Sequence, residues 1–479
     1  MITSDRMAAV DRNAAALGVP RKQLMESSGN AVARVVRDLV APNDAVVAVA
    51  GRGNNGGDAL VAARFLDEFD PTVLLVGRPE SIRTEIAREN WATLRAAGID
   101  ARAITHPAAA EEPIAAADVV IDGLLGTGVA GAIREPTASV ARAIDAVDAT
   151  VVSVDVPSGV DPDTGEAATD AVDADHVVTF HEKTPGLSAV DATVTVADIG
   201  IPAAAERVVG PGDLLALDRD PRSHKGDHGT VLVVGGGPSA GAPALAAQAT
   251  LRAGADLAYV ATPESVAGAV QGYSEDLIGH ALSGDRVTEA SAAAALSLAD
   301  DVDADAVVLG PGLGDADDTR DAIRAFLREF DGRAVIDADA LSAVDVGTDA
   351  TLLCTPHAGE LRGMSGPDVD GVDDRAGAVA EFAAEIGHAI LLTGPTDVIS
   401  DEKRTRTNRT GTPAMTVGGT GDVLAGVAGG LLARLPPIEA GAIGAYVTGL
   451  AGKRAAGGEA TGLVASDLLA ELPDAFRTE

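Results

Sequence analysis

The sequence has one cysteine, Cys354. It can form no intrachain disulfide, and a cysteine-rich metal centre is excluded. Aromatic residues make up only 2% of the chain, so its cores must be built from Ala, Val, Leu and Ile. Positive charge is scarce: 36 Lys and Arg stand against 72 Asp and Glu, a net charge of −36. Lysine occurs only at positions 22, 183, 225, 403 and 453. Such a surface repels phosphate backbones and anionic lipid, so nucleic acid and membrane partners are not expected. The acids are spread along the chain rather than gathered in a block. That reads as a solvated face suited to a salt-rich cytoplasm, not as an interaction tail. Long unbroken apolar runs are missing too. The longest notable uncharged stretch, 230–251, is interrupted by Gly235-Gly236-Gly237-Pro238 and reads as strand, turn and helix. The opening MITSDRMAAVDRN is too polar for a signal peptide, and a cytoplasmic protein is expected.

What is present is an α/β pattern, and 479 residues suggest two or three domains. In a first block, short β-branched runs alternate with Ala-rich helical stretches. The runs are 45–50, 72–76, 118–122, 151–156, 176–180 and 193–197, preceded by helices near 3–17 and 20–40. Continuous apolar strands between helices indicate a mostly parallel sheet covered on both faces, a three-layer sandwich. A second block restarts after an Asp-, Pro- and Gly-rich region, with runs at 230–234, 256–261, 305–309, 333–337, 351–354, 389–393 and 397–400. It ends in a glycine-broken helical segment near 418–434. The expected domains are 1–217 and 218–479. Their glycine motifs differ, so the blocks are not an obvious duplication.

In open parallel sheets, ligands sit beyond the carboxyl ends of the strands. Three first-block strands end in loops poor in side chains: GRGNNGGD (51–58), DGLLGTGV (122–129) and DVPSGV (155–160). Glycines let backbone N–H groups approach a phosphate, and a following helix start favours the anion. Asp122, Asp155, Asn55 and Ser158 supply oxygens for a hard cation. The pattern is a phosphate cradle beside an oxygen-lined cation site. GRGNNGGD does not fit G-x-G-x-x-G, which disfavours an ordinary Rossmann dehydrogenase. Asp155 reads either as an acid–base group or as a helix cap.

LMESSGNAVA (24–33), GRGNNGGDA, IDGLLGTG and VDVPSG together resemble the NAD(P)H-hydrate epimerase domain, over about 1–217. The resemblance implies a Rossmann-like domain that interconverts the R and S hydrates of NADH and NADPH at C6 and binds potassium. Asn55, Asp122 and Ser158 would hold K⁺. Asn54, Asn55, Gly56, Gly57, Asp58, Gly123, Leu124, Leu125, Gly126, Thr127, Gly128, Val129 and Asp155 would hold the substrate. Asp155 would do the acid–base work. Ala59 stands where the family usually has another glycine. Lys183, in HEKTPGL, would be no more than a nearby positive charge.

The second block carries SHKGDHGTVLVVGGGPSAGAPALAAQA (223–249), GPGLG (310–314), DADAL (337–341), CTPHAGEL (354–361) and VGGTGDVLAGVAGGLLA (417–433). In the last, a glycine turn runs into Asp422 and a helix start. Helix N-terminal amides stabilise a transferring phosphoryl group, and an aspartate beside them can accept a hydroxyl proton. Taken alone, GTGD could be a helix cap. His357 could be a packed histidine or a ligand contact.

This set resembles the ADP/ATP-dependent NAD(P)H-hydrate dehydratase of the ribokinase-like superfamily, over about 218–479. The resemblance implies phosphorylation of the C6 hydroxyl of the S hydrate, then loss of phosphate to restore NAD(P)H. Asp422 would be the base, and Ala242, Gly314 and His357 would contact the hydrate. The adenine nucleotide, expected to be ADP with Mg²⁺, would meet Thr393, Gly394, Pro395, Thr396 and Asp397. It would also meet Thr412, Pro413, Ala414, Met415, Thr416, Val417, Gly418, Gly419, Thr420 and Gly421. The family commonly has Lys-Gly at Thr393-Gly394, so a cation near the nucleotide is missing there. Ala358 replaces a common proline. Together the halves would form a metabolite-repair enzyme, expected as a homo-oligomer. The motifs alone also admit a ribokinase-like small-molecule kinase, or a nucleotide-binding regulator without turnover.

Overall fold

The computed structural model describes residues 1–128, 131–217, 219–344, 347–371 and 373–477. The chain divides into two compact units, Met1–Ala205 and Glu206–Glu479, rather than at the expected 217/218 border. The segment 206–217 is already held by the second unit. Val208 bridges to Thr407, and Asp213 pairs with Arg406 at 2.9 Å, both side chains largely shielded from water. A shielded ion pair fixes a segment firmly, because losing one partner strands a buried charge.

The first unit's strands are β1 Val46–Ala50, β2 Thr72–Val76, β3 Ala101–Ile104, β4 Val119–Gly123, β5 Thr150–Val154, β6 His176–Phe180 and β7 Thr193–Ala197. All pair in parallel, in the order β3-β2-β1-β4-β5-β6-β7. Val46, Ala48 and Ala50 enter one core with the helices Arg21–Leu39 and Asn54–Phe65. Val47 and Val49 enter another with the helices Ala108–Ala115 and Thr137–Asp145. Both faces are covered, which is why the strand reads as an unbroken apolar run. The order reverses between β1 and β4. There the crossovers leave in opposite directions and open a crevice past the strand ends.

The second unit's strands are β8 Thr230–Val234, β9 Leu257–Pro263, β10 Ile278–Leu282, β11 Ala306–Leu309, β12 Arg333–Ile336, β13 Thr351–Cys354, β14 Ala389–Leu392, β15 Asp397–Ser400 and β16 Thr405–Asn408. Their order is β10-β9-β8-β11-β12-β13-β14-β15-β16. The sheet is parallel as far as β14, then antiparallel through β15 and β16. The glycines of 418–434 do not break a helix. Thr420–Leu432 is continuous, and a Cβ on Gly426 would collide with the Ala246 carbonyl of the helix Gly241–Arg252. Thr250 Oγ1 donates to the Gly426 carbonyl at 2.9 Å across this contact. Cys354 lies fully buried at the end of β13, and burial pushes its thiol up to about 12, so it is chemically quiet. Among the described residues no helix is long and apolar enough to cross a membrane.

Candidate active sites

β1, β4 and β5 are neighbours, so their carboxyl ends bring 51–58, 123–128 and 155–158 to one place. Val129 lies outside the described residues. Asn54 to Asp58 form the first turns of the helix Asn54–Phe65, and no side chain caps that helix. Its first N–H groups therefore face the crevice without an internal partner, the usual setting for an anion. Gly123 ends β4, and Leu124 to Gly128 run along the crevice wall.

The glycines have a reason beyond ligand approach. A Cβ on Gly51 would strike the Leu124 carbonyl, and one on Gly56 would strike the Gly51 carbonyl. One on Gly57 would lie 2.7 Å from Met25 Cε, whereas Gly53 has open space around it. The chain presses on itself at 51 and 56. Gly56→Ala should therefore destabilise the first unit by about 1–3 kcal/mol. Gly53→Ala, at an ordinary extended φ, should leave its melting temperature unchanged. Thermal unfolding of the two variants checks this, and equal losses would show that packing at Gly56 is not the cause.

The three oxygen residues meet. Asn55 Nδ2 donates to the Leu125 carbonyl at 2.7 Å. The Leu125 N–H donates to Ser158 Oγ at 2.9 Å, and Ser158 Oγ donates to Asp122 Oδ1 at 2.6 Å. Asp122 is fully buried and also accepts from Ser153 Oγ, Ser158 N and Leu124 N. Burial raises its carboxyl above the ordinary range, and these hydrogen bonds oppose the rise. Among the described residues no cationic side chain pairs with it.

Asp155 follows β5 with a left-handed φ of 67°, rare for a residue with a side chain. It caps no helix among the described residues. Instead, Thr179 Oγ1 donates to its Oδ1 at 3.2 Å. Burial, and then the charge of Asp11, push its carboxyl up to about 6. Asp58 is raised well above the ordinary range by burial and by the charges of Asp155 and Asp11. His181, just past β6, also has φ 67°. Strained positions of this kind gather at binding and catalytic sites. Asp11, Thr179 and His181 were not singled out from the sequence. Asp11 lies on the first helix, Ser4–Ala16, and no local motif marks it.

In the second unit, the loops after β8, β11, β12 and β13 converge, since these strands are adjacent. A Cβ on Gly312 would meet Ala242 Cβ at 3.1 Å, which places Ala242 against GPGLG. The Gly314 N–H donates to Asp339 Oδ2 at 2.7 Å. Asp337 follows β12, and Thr355 Oγ1 donates to its Oδ1 at 2.7 Å. Burial, with the charges of Asp422 and Glu360, pushes Asp337 up to about 7. Asp422 is pushed up to about 6 by burial and by Asp339. Asp337 and Asp339 belong to DADAL, which marked the site without a role for either acid. Two acids in a short strand-end turn were the available signal.

Asp422 is not a helix cap. The capping position of Thr420–Leu432 is Gly419, at φ 94°, and no side chain caps that end. The Asp422 carboxylate thus stands beside uncapped amides. His357 is the cap of the helix Ala358–Gly363. Its Nδ1 accepts from Gly359 N and Glu360 N at 3.0 and 3.2 Å, and Glu360 accepts from His357 N. That leaves the proton on Nε2, which sits 3.6 Å from Glu360 Oε1 on an exposed side chain, within reach of a ligand. His357 also bridges to Thr393, which opens the β14–β15 turn Thr393–Asp397. In that turn Asp397 accepts from Gly394 N and from Asn408 Nδ2 of β16. The chain from Thr412 to Gly421 then leads through the turn Pro413–Met415 to the uncapped helix. Thr420 Oγ1 donates to the Met415 and Val417 carbonyls at 3.1 Å.

Comparison with known proteins covers both units. Residues 21–186 match the family model described as YjeF-related protein N-terminus, and 231–474 match the model described as NAD(P)H-hydrate dehydratase. A bifunctional NAD(P)H-hydrate repair enzyme of Pyrobaculum aerophilum is 44% identical, over 99% of this chain and 98% of that one. That of Methanopyrus kandleri is 42% identical, over 99% and 96%. A solved ADP/ATP-dependent NAD(P)H-hydrate dehydratase of Bacillus subtilis, crystallised with ATP and Mg²⁺, is 26% identical at a TM-score of 0.50. It covers 56% of this chain and 97% of its own. The ribokinase-like architecture expected of the second unit is thus present. The chain belongs to the family of bifunctional NAD(P)H-hydrate repair enzymes.

Proposed function

We propose that the first unit epimerises hydrated NADH and NADPH at C6, and that the second dehydrates the S form while ADP is converted to AMP and phosphate. The observation that carries this reading is that each unit holds an elevated aspartate beside an uncapped helix start, Asp155 near Asn54–Phe65 and Asp422 on Thr420–Leu432. In both, amides offer an anion site and a carboxylate waits beside it.

In the epimerase site the dinucleotide phosphates lie on the amides of Asn54 to Asp58 and along Gly123 to Gly128. Asp155 takes the proton of the C6 hydroxyl. C6 also carries the ring nitrogen, so the C6–N bond can open to an aldehyde and reclose from the other face. With Asn55 Nδ2 placed on the Leu125 carbonyl, Asn55 Oδ1 is left for a cation beside the oxygens of Asp122 and Ser158, a donor set that would suit K⁺. A cation there would offset the buried charge of Asp122 and the substrate's phosphates.

In the dehydratase site Asp422 takes the C6 hydroxyl proton as the oxygen attacks the terminal phosphorus of ADP. The helix amides from Thr420 take the transferring phosphoryl charge. AMP leaves. The ring nitrogen's lone pair then expels phosphate from C6, and loss of the C5 proton restores the double bond. Mg²⁺ would travel with the nucleotide phosphates. His357 Nε2, Gly314 and Ala242 hold the hydrate. The strongly acidic surface fits a salt-rich cytoplasm, and a homo-oligomer is part of this reading.

The test is a mixture of R and S NADH hydrates with ADP, Mg²⁺ and KCl. Full return of NADH absorbance, with no phosphorylated product accumulating, is expected. Recovery stopping at the S fraction would remove the epimerase from this chain. A stable phosphorylated product would favour the small-molecule kinase.

A further inference from the structure

We propose that Arg375 binds a phosphate of the adenine nucleotide; this rests on the reading that the turn Thr393–Asp397 belongs to the nucleotide site. Arg375 opens the helix Arg375–Ile386, whose capping residue Asp374 accepts from Gly377 N at 2.8 Å. Its guanidinium reaches back to the β14–β15 turn. Nη2 donates to the Thr393 carbonyl at 3.1 Å. An ideal Cβ on Gly394 would lie 2.8 Å from both Nη1 and Nη2. The guanidinium therefore lies against the one residue of the turn that has no side chain.

The protein uses little of this group. Among the described residues, one of its five N–H bonds finds a protein acceptor, and Nε is buried without any. The acid in the same turn, Asp397, feels the Arg375 charge, but its hydrogen bonds come from Gly394 N and Asn408 Nδ2. Acids outnumber bases two to one, 72 to 36, yet among the described residues Arg375 makes no ion pair. A guanidinium whose Nη1/Nη2 end faces a glycine, with most of its N–H groups unused, can meet a phosphate that comes in over that glycine. Through the Thr393–His357 bridge the same turn is tied to the hydrate-contacting side of the site. Thr393 is neutral, so the positive charge at this turn is Arg375's.

The test uses the full-length protein and separates nucleotide binding from folding. Arg375→Gln should raise the KM for ADP about ten-fold or more, the loss of a charge-assisted hydrogen bond. The KM for the hydrate and the melting temperature should stay put. Adding Thr393→Lys to Arg375→Gln should restore a low KM for ADP, because it returns a cation to the turn. An unchanged KM for ADP in Arg375→Gln, or failure of the lysine to restore it, would overturn the proposal. If Arg375→Gln does not fold, Arg375→Lys provides the same reading, with an intermediate KM expected and an unchanged one overturning it. Gly421→Val guards the underlying reading, since the space around Gly421 is open. Should it raise the KM for ADP while Arg375→Gln does not, the nucleotide site stands and Arg375 is only a fastener of the turn. Should neither change it, the site assignment falls and the proposal with it.

Discussion

Asp422→Asn should slow ADP-dependent dehydration of the S hydrate by about a hundred- to ten-thousand-fold, the usual worth of a positioned base. Epimerisation should continue at its normal rate, because the first unit's acids are untouched. Asparagine keeps the shape and the exposure of the site, so KM for ADP should move little and kcat should carry the loss. Rapid-mix assays on each reaction separately check this. Equal damage to both reactions would mean that the change disturbs folding. Retained dehydration would move the base role to Asp337.

The pH dependence has a definite sign. Asp422 must be ionised to accept a proton, and burial holds its carboxyl up at about 6. Dehydration should therefore fall as pH drops through about 6. Stability responds in the opposite direction. A carboxyl raised above its unfolded value contributes stability that is present at low pH and lost as pH rises through the folded value. At pH 8 the ionised Asp422 works against folding, so Asp422→Asn should melt no lower than wild type. An inactive variant of undiminished stability is the signature of a functional charge, which a structural aspartate would not give.

Much of this arrangement was legible in the sequence because both sheets are buried on both faces. Runs such as Val46-Val47-Ala48-Val49-Ala50, short, rich in valine and followed by glycine, read as buried strands, and the strand ends then locate the loops. The strands without such a signal, β3, β10 and β16, are Ala-Arg-Ala-Ile, Ile-Gly-His-Ala-Leu and Thr-Arg-Thr-Asn. β3, β10 and β16 are edge strands, where partial exposure permits polar residues. The candidate site split the same way. Asp155 and Asp422 stood out in loops stripped of other side chains. Asp11 and Arg375 are brought in from helices by tertiary packing, and no pattern near them in sequence announces it. The glycines of GRGNNGGD were visible, but not their cause. That Gly56 faces the Gly51 carbonyl appears only once the helix Asn54–Phe65 is wound.

Asp155→Asn is the complementary experiment on the first unit. Its Oδ1 can still accept from Thr179, so the loop should keep its shape. The lost function is proton transfer at C6, and the epimerase rate above the spontaneous background should drop about a hundred- to ten-thousand-fold. With R and S hydrates, ADP and Mg²⁺, NADH absorbance should then rise at the wild-type rate and stop at the S fraction. A full recovery would remove Asp155 from the chemistry. The neighbouring charge supplies a second readout. Burial and Asp11 together hold Asp155 up at about 6, so epimerisation should weaken as pH falls through about 6. Asp11→Asn removes the repulsion that disfavours the ionised form. The acid limb of the epimerase profile should move to lower pH, while that of the dehydratase, set by Asp422 and Asp339, stays where it was. An epimerase limb that does not move would mean that Asp155 and Asp11 are not electrostatically coupled in the working enzyme.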